Sequence, residues 1–363
     1  MKRREFLGKV GGGAAVAAAA ATALSPVSAQ AKAKTFKWKL CASWPPKFPA
    51  LMEGTERLAK NITEMSNGQL QIQTFAAGEL IGGLEVFDAV SQGKVVQAGS
   101  TALYYYYGKF PEGLLFSEVP FAMLDAEKTA WFYCGGGLEL MQKALEPHNM
   151  TGFPMISTGT QMGGWFRKEI NTIDDLKGLK MRIPGLPGKV MAKAGVNVVN
   201  VLGSEIFTNL ERGVIDAAEW VNPLLDLRLG FHQAAKYYYY PGWHEPATFA
   251  QLLINLKAWN ELPAHLKALV TVASAESTSW VKARSDSACG AALKELVEKH
   301  GVILKRFPDE VLKKLYKLTK EVMAEEMAKH PGMKPIYEAM MKFKAEVDPW
   351  MDVSERAYVW PKD

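Results

Sequence analysis

Apolar and polar residues alternate from Lys34 onward: Phe36, Trp38 and Leu40 fall on one face of an extended segment, Lys37 and Lys39 on the other. A period of two predicts a half-buried strand, and Trp44-Pro45-Pro46 ends it, because proline cannot donate to a sheet ladder. From Leu51 to Ser66 the spacing of Leu58, Ile62 and Met65 changes to four and three, which predicts a helix stopped by Asn67-Gly68. The segment QLQIQTF returns to alternation. GELIGGLEVFDAVSQG predicts a helix with Leu84, Phe87 and Val90 inward, and KVVQAGSTALYYYY a strand running into a loop. This strand–helix order predicts an α/β layer with helices covering a mainly parallel sheet.

A second unit of the same kind opens near Thr151 with the apolar strand GFPMIST and then GGWFRKEI. Thr172 and Asp175 are spaced as a capping box for a short helical turn that Gly178 closes. In LKMRIPG, Leu179, Met181 and Ile183 face inward, and Lys180 and Arg182 outward. Ser204 is placed to cap a helix carrying Ile206, Leu210 and Val214, and GVIDAAEWVNP predicts a strand running into Pro223. Beyond residue 258 the pattern is helical almost throughout. The run from Leu262 to about His300 exceeds the usual helix length, which predicts one helix bracing both lobes.

The first residues carry a different message. MKRREFLGKV is basic, a soft apolar run extends from Val10 to Leu24, and Val27, Ala29 and Ala31 supply the small residues of a peptidase site. Arg3-Arg4 followed by Glu5-Phe6-Leu7 is similar to a twin-arginine export signal. The run falls short of the roughly 20 residues that span a bilayer. Residues 1–31 are therefore expected to be a leader and the mature protein periplasmic. Of the formal net charge of +5, the leader holds +3, which leaves +2 on the body. A nearly neutral body without a Lys/Arg run argues against nucleic acid as a partner. Cys41, Cys134 and Cys289 are far apart, allow one disulfide at most and show no metal spacing.

Phosphate-loop, dinucleotide, zinc-protease and serine-hydrolase motifs are absent, and the six histidines show no ligand spacing. The positive signal lies between Gln161 and Glu245. Arg182 ends a strand just before Pro184-Gly185, and strand ends in open α/β sheets face the ligand crevice. A guanidinium there can hold a carboxylate by two parallel hydrogen bonds. Glu219, beside Trp220, also falls at a strand end, and an acid facing a crevice can be solvated, paired with arginine, or an oxygen ligand for a hard cation. Glu245 lies in the aromatic run YYYYPGWHEPA, where tyrosines beside Pro and Gly suit a pocket wall.

FAAGELIGGLEVFDAVSQG, KMRIPG, ERGVIDAAEW and YYYYPGWHEP together resemble the solute-binding proteins of tripartite ATP-independent periplasmic (TRAP) transporters. The order TGTQMGGWF, MRIPG, AAEWVNP resembles the branch that binds 2-oxo acids such as pyruvate, which has a lactate-binding relative. The resemblance implies an α/β fold of two lobes, type II-like, with a cleft closing on a small organic anion. Lobe I would comprise 34–155 plus about 250–285, and lobe II 156–249 plus about 286–363. It further implies that Arg182 clamps the carboxylate, that Gln161 contacts ligand and cation, and that Glu219, Glu245 and the Trp220 backbone carbonyl hold the cation. Trp44 and either Tyr105 or Tyr106 would line the other lobe, strand alternation allowing either tyrosine pair.

Arg182 with Glu219 and Glu245 leaves one net negative charge, and a carboxylate ligand makes two, which is costly in a closed cleft. Na⁺ or Ca²⁺ beside the ligand removes that cost. The expected function is capture of a 2-oxo monocarboxylate with Na⁺, or alternatively Ca²⁺, for delivery to transporter membrane subunits, without catalysis. Competing readings are a 2-hydroxy acid ligand such as lactate, a secreted α/β enzyme, and a chemoreceptor-coupled sensor. The C-terminal helical segment also allows a homodimer.

Overall fold

The computed structural model describes residues 34–199, 201 and 203–358, so the expected leader lies outside the described residues. Two sheets organise the body. The first joins β1 (Phe36–Ala42), β2 (Leu70–Phe75), β3 (Ala98–Thr101), β4 (Met150–Ser157) and β10 (Phe249–Asn255) in the order β2-β1-β3-β10-β4. The second joins β5 (Gly164–Phe166), β6 (Lys180–Arg182), β7 (Asn197–Val199), β8 (Ala217–Ala218), β9 (Tyr237–Tyr240) and β11 (Ile303–Arg306) in the order β11-β9-β5-β8-β6-β7. Both sheets are mixed rather than mainly parallel. β10 runs antiparallel to β3 and β4, and β5 antiparallel to β8 and β9, because the chain crosses between the sheets after β4 and returns before β10.

The local sequence signals explain most elements. In β1 the alternation buries Phe36, Trp38 and Leu40 while the lysines stay exposed. The first helix spans Leu51–Met65; Leu58 and Ile62 are buried, the Glu53 carboxylate accepts the Ala50 N–H at 3.0 Å, and the left-handed Asn67 and Gly68 end the turn beyond it. Met65, expected inward, is exposed because it sits on the last turn. Leu84 is also exposed, since the next helix begins only at Val86 and turns Val86, Phe87 and Val90 to the core. Thr172 and Asp175 form the expected cap on the turn Ile173–Leu176, the Thr172 N–H donating to Asp175 Oδ2 at 2.7 Å. Ser204 lies inside rather than before its helix, Gly203–Glu211, which ends too early to bury Val214.

The long helix is continuous over Ala264–Glu298, about 50 Å at 1.5 Å per residue. It packs on the helix Leu51–Met65 and β4 of the first sheet and on the helix Pro223–Leu229 beside the second. No described helix is long and apolar enough to cross a membrane. Cys41, Cys134 and Cys289 are all free thiols.

Candidate functional site

The two crossings between the sheets run side by side. Thr158 N donates to Thr248 O at 3.1 Å, Gln161 N to Glu245 O at 3.2 Å, and Gly242 N to Gln161 O at 3.0 Å. This pairing brings Gln161 and Glu245 together, although 84 residues separate them. β8 runs into the same place from the second sheet and delivers Glu219 and Trp220, and its parallel neighbour β6 delivers Arg182. The result is a cavity lined on one side by Gln161, Arg182, Glu219 and Trp220 and on the other by Trp44, Tyr104 and Tyr105. It lies beside a broader cleft whose wall includes Arg182, Trp220, Tyr104 and Tyr105.

Arg182, expected outward, points to the face opposite Met181, and that face is the site, so its side chain is buried too. Its Nη1 donates to the Glu219 carboxylate and, at 3.1 Å, to the Glu219 carbonyl, while Nε lies 3.5 Å from Val201 O. Nη2 makes no hydrogen bond to any described residue. The guanidinium lies 5.3 Å from the Trp220 ring centroid, close enough for cation–π attraction. One edge of the guanidinium is thus fixed by Glu219, and the other can take an anion.

The acids stand close together. Carboxylate oxygens of Glu219 and Glu245 and a ring nitrogen of His244 lie within 4.8 Å of one another, all three residues buried. Glu245 accepts from Gln161 Nε2 and Thr248 Oγ1, and His244 Nε2 lies 3.4 Å from Glu219 Oε2. Gln161 Oε1 and both His244 nitrogens are buried without a hydrogen-bond partner among the described residues. A buried polar atom left unpaired is unfavourable, and an unpaired amide oxygen beside two carboxylates matches the hard-oxygen donor set of Na⁺ or Ca²⁺. The residues present therefore fit a cation.

The aromatic wall corrects one expectation. Leu103–Tyr106 form a 3₁₀ turn rather than a strand, so their side chains fan around an axis instead of alternating. Tyr104 and Tyr105 face the cavity in edge contact at 4.6 Å, and Tyr105 lies 6.4 Å from Trp44. Tyr106 turns the other way, its hydroxyl 2.9 Å from Thr101 Oγ1 and its ring 5.0 Å from Phe87, so it belongs to the core and not to the cavity. Burial pushes the Tyr105 phenol up to about 12 and the Tyr104 phenol upward as well, so both remain neutral donors.

Sequence reasoning left Tyr104 open among the four tyrosines and missed His244, Thr158 and Thr248, and also two buried charges behind the site. Glu118 is fully buried, its oxygens without a hydrogen-bond partner among the described residues; burial and the nearby Glu245 hold its carboxyl well above the carboxylate range. Lys128 donates to Ser117 O at 2.6 Å, and burial lowers it to about 7. Burial pushes each toward its neutral form.

Asp226 props the loop that carries Glu219 and Trp220. Its buried carboxyl accepts Val221 N at 3.1 Å, Trp165 Nε1 at 2.9 Å and Tyr238 Oη at 2.7 Å. Burial outweighs these donors and raises Asp226 to about 7. Between about pH 4 and 7 the native chain keeps a proton that the unfolded chain has lost, so stability falls as pH rises through that window, by up to about 1.4 kcal/mol per unit. Asp226→Asn is expected to flatten the slope in urea melts between pH 4 and 7. Parallel slopes in the two proteins would contradict the assignment.

The sequence pattern of bacterial extracellular solute-binding protein family 7 (DctP) matches residues 42–330. The chain belongs to this family. A monocarboxylate 2-oxoacid-binding periplasmic protein of Nostoc sp. is 42% identical over 359 residues, which cover 99% of this chain and 98% of that protein. The crystal structure of a TRAP periplasmic solute-binding protein from Colwellia psychrerythraea with bound calcium and pyruvate is 43% identical, with a TM-score of 0.86 over 90% of this chain and 99% of that one. Its counterpart from Pseudoalteromonas atlantica, with bound sodium and pyruvate, is 42% identical, with a TM-score of 0.85 over 90% and 98%. This family 7 protein shares their two-lobed α/β fold, and its cavity sits where its two sheets meet.

Proposed function

We propose that the chain binds a 2-oxo monocarboxylate, with pyruvate as reference ligand, together with one Na⁺ or Ca²⁺ ion, and passes it unchanged to the membrane subunits of a TRAP transporter. The observation that carries this reading is the half-tied Arg182 guanidinium beside two buried acids and an unpaired amide oxygen in one cavity. In this reading the free edge of Arg182 takes the ligand carboxylate. Gln161 Oε1, Glu219, Glu245 and the Trp220 carbonyl hold the cation, and Trp44, Tyr104 and Tyr105 close over the ligand's apolar end. Ligand and cation then neutralise one another inside a poorly hydrated space, so each strengthens the other's binding. Lobe I as 34–155 with about 250–285, and lobe II as 156–249 with about 286–363, is supported by the strand membership of the two sheets. Periplasmic residence accords with the leader pattern and with the family.

The test is mass spectrometry of the small molecule released when protein purified without added ligand is denatured, with elemental analysis of the same sample. A 2-oxo monocarboxylate with about one equivalent of Na⁺ or Ca²⁺ is expected. A 2-hydroxy acid would move the ligand class, and a metal-free neutral solute would contradict the reading.

A further inference from the structure

We propose that Tyr107, Lys189, Glu326 and His330 form a latch that holds the cleft shut and sets how long the ligand stays. The kinetic part of this proposal rests on the ligand-binding reading above. Tyr107 caps the short turn whose Tyr104 and Tyr105 line the cavity, and its own ring lies on the wall of the broader cleft. Its hydroxyl reaches to helices that belong with the second sheet. Lys189 Nζ donates to it at 2.6 Å, His330 Nε2 lies 2.9 Å away, and the hydroxyl itself donates to the Glu326 carboxylate. Lys189 Nζ is also 2.6 Å from Glu326 Oε2 and 3.8 Å from the centroid of the Tyr107 ring.

The placement of these partners gives the contact its meaning. Lys189 sits in the helix Gly185–Lys193, which starts three residues after Arg182, and Glu326 in the helix Asp309–Lys329 packed against it. One phenol therefore ties the tyrosine wall of the cavity to the helix that follows the carboxylate-facing arginine. Those are the two sides that must separate before a buried ligand can leave.

A simpler role would be to join the two helices. They do not need Tyr107 for that. Lys193 already bridges them, 2.5 Å from Glu325 and 3.6 Å from Glu321, and Lys189–Glu326 is a second bridge. What the Tyr107 hydroxyl adds is a hydrogen-bonded connection across the cleft. Tyr107→Phe removes those hydrogen bonds alone and leaves both bridges, and the contact of Lys189 with the ring, in place. Glu326 and Tyr107 are also partly shielded from water, so the hydrogen bonds to charged partners are not simply exchanged for solvent.

The experiment compares wild-type protein with Tyr107→Phe, and with Lys189→Met as a second variant, in two ways. Stopped-flow chase of bound pyruvate in the presence of Ca²⁺ gives the dissociation rate. Spin labels at Leu84→Cys and Glu205→Cys, two exposed positions on the cleft wall, in a Cys134→Ser, Cys289→Ser background, give the distance distribution across the cleft without ligand. Loss of the hydroxyl is expected to raise the dissociation rate about tenfold, in line with a hydrogen bond to a charged group, and to broaden the distances. An unchanged dissociation rate in protein that binds pyruvate overturns the latch. Should the wild-type protein bind no pyruvate, the ligand reading fails by itself. The spin-label arm then decides, and an unchanged distribution overturns the latch there too.

Discussion

Arg182→Met is expected to weaken pyruvate binding by about two to three orders of magnitude. The guanidinium is buried against Glu219, with one edge tied and the other facing the cavity. Removing it deletes the partner of the ligand carboxylate and leaves Glu219 as an uncompensated buried charge. Truncating one member of a buried, hydrogen-bonded charge pair typically costs about 2–5 kcal/mol, and each 1.4 kcal/mol is about tenfold in affinity. Arg182→Lys keeps the charge but loses the planar fork, so an intermediate loss is expected. Titration calorimetry at fixed Ca²⁺ reads both variants. Affinity close to wild type in Arg182→Met would remove the clamp from this residue.

Glu245→Gln is expected to weaken the cation, and the organic anion only through it. Glu245 accepts from Gln161 and Thr248, and an amide of the same shape keeps the side-chain oxygen while deleting one negative charge. Even loss of an outer partner at a metal site commonly costs about 10–100-fold in metal affinity, and a direct carboxylate ligand should cost at least as much. Because ligand and cation are linked, pyruvate affinity at low Ca²⁺ should fall with it and recover at high Ca²⁺. Unlike Arg182→Met, this defect is reversible by cation. If added Ca²⁺ does not rescue the variant, Glu245 acts on the organic ligand directly.

The parts of the molecule that can be read from sequence are those fixed by near neighbours. Alternation in β1, the Asn67-Gly68 stop after Leu51–Met65 and the Thr172–Asp175 box each depend on residues within a turn or a strand of one another. β10 escapes such reading because all seven of its residues are buried, so no alternation marks it; its polar Gln251 is satisfied across the core by Leu103 N and Phe116 O. The helices Gly113–Ser117, Asp125–Cys134 and Gly137–Leu145 are too short for a sustained period. Within the site, Arg182 and Glu219 announce themselves at strand ends, whereas His244 has no ligand spacing in the chain and meets Glu219 only through the fold. Glu118 and Lys128 look like ordinary surface charges until the packing buries them. Tyr106 goes to the core rather than the cavity because a 3₁₀ turn does not obey the period of a strand.

If anion and cation bind as one neutralised unit, neither should bind well alone. This is tested most directly by titrating pyruvate into wild-type protein that has been stripped with chelator and dialysed into sodium-free buffer, before and after restoring Ca²⁺ or Na⁺. Weak binding or none is expected in the stripped sample, with full recovery on adding the cation. Equal pyruvate affinity in both samples, with no metal found by elemental analysis, would contradict paired binding.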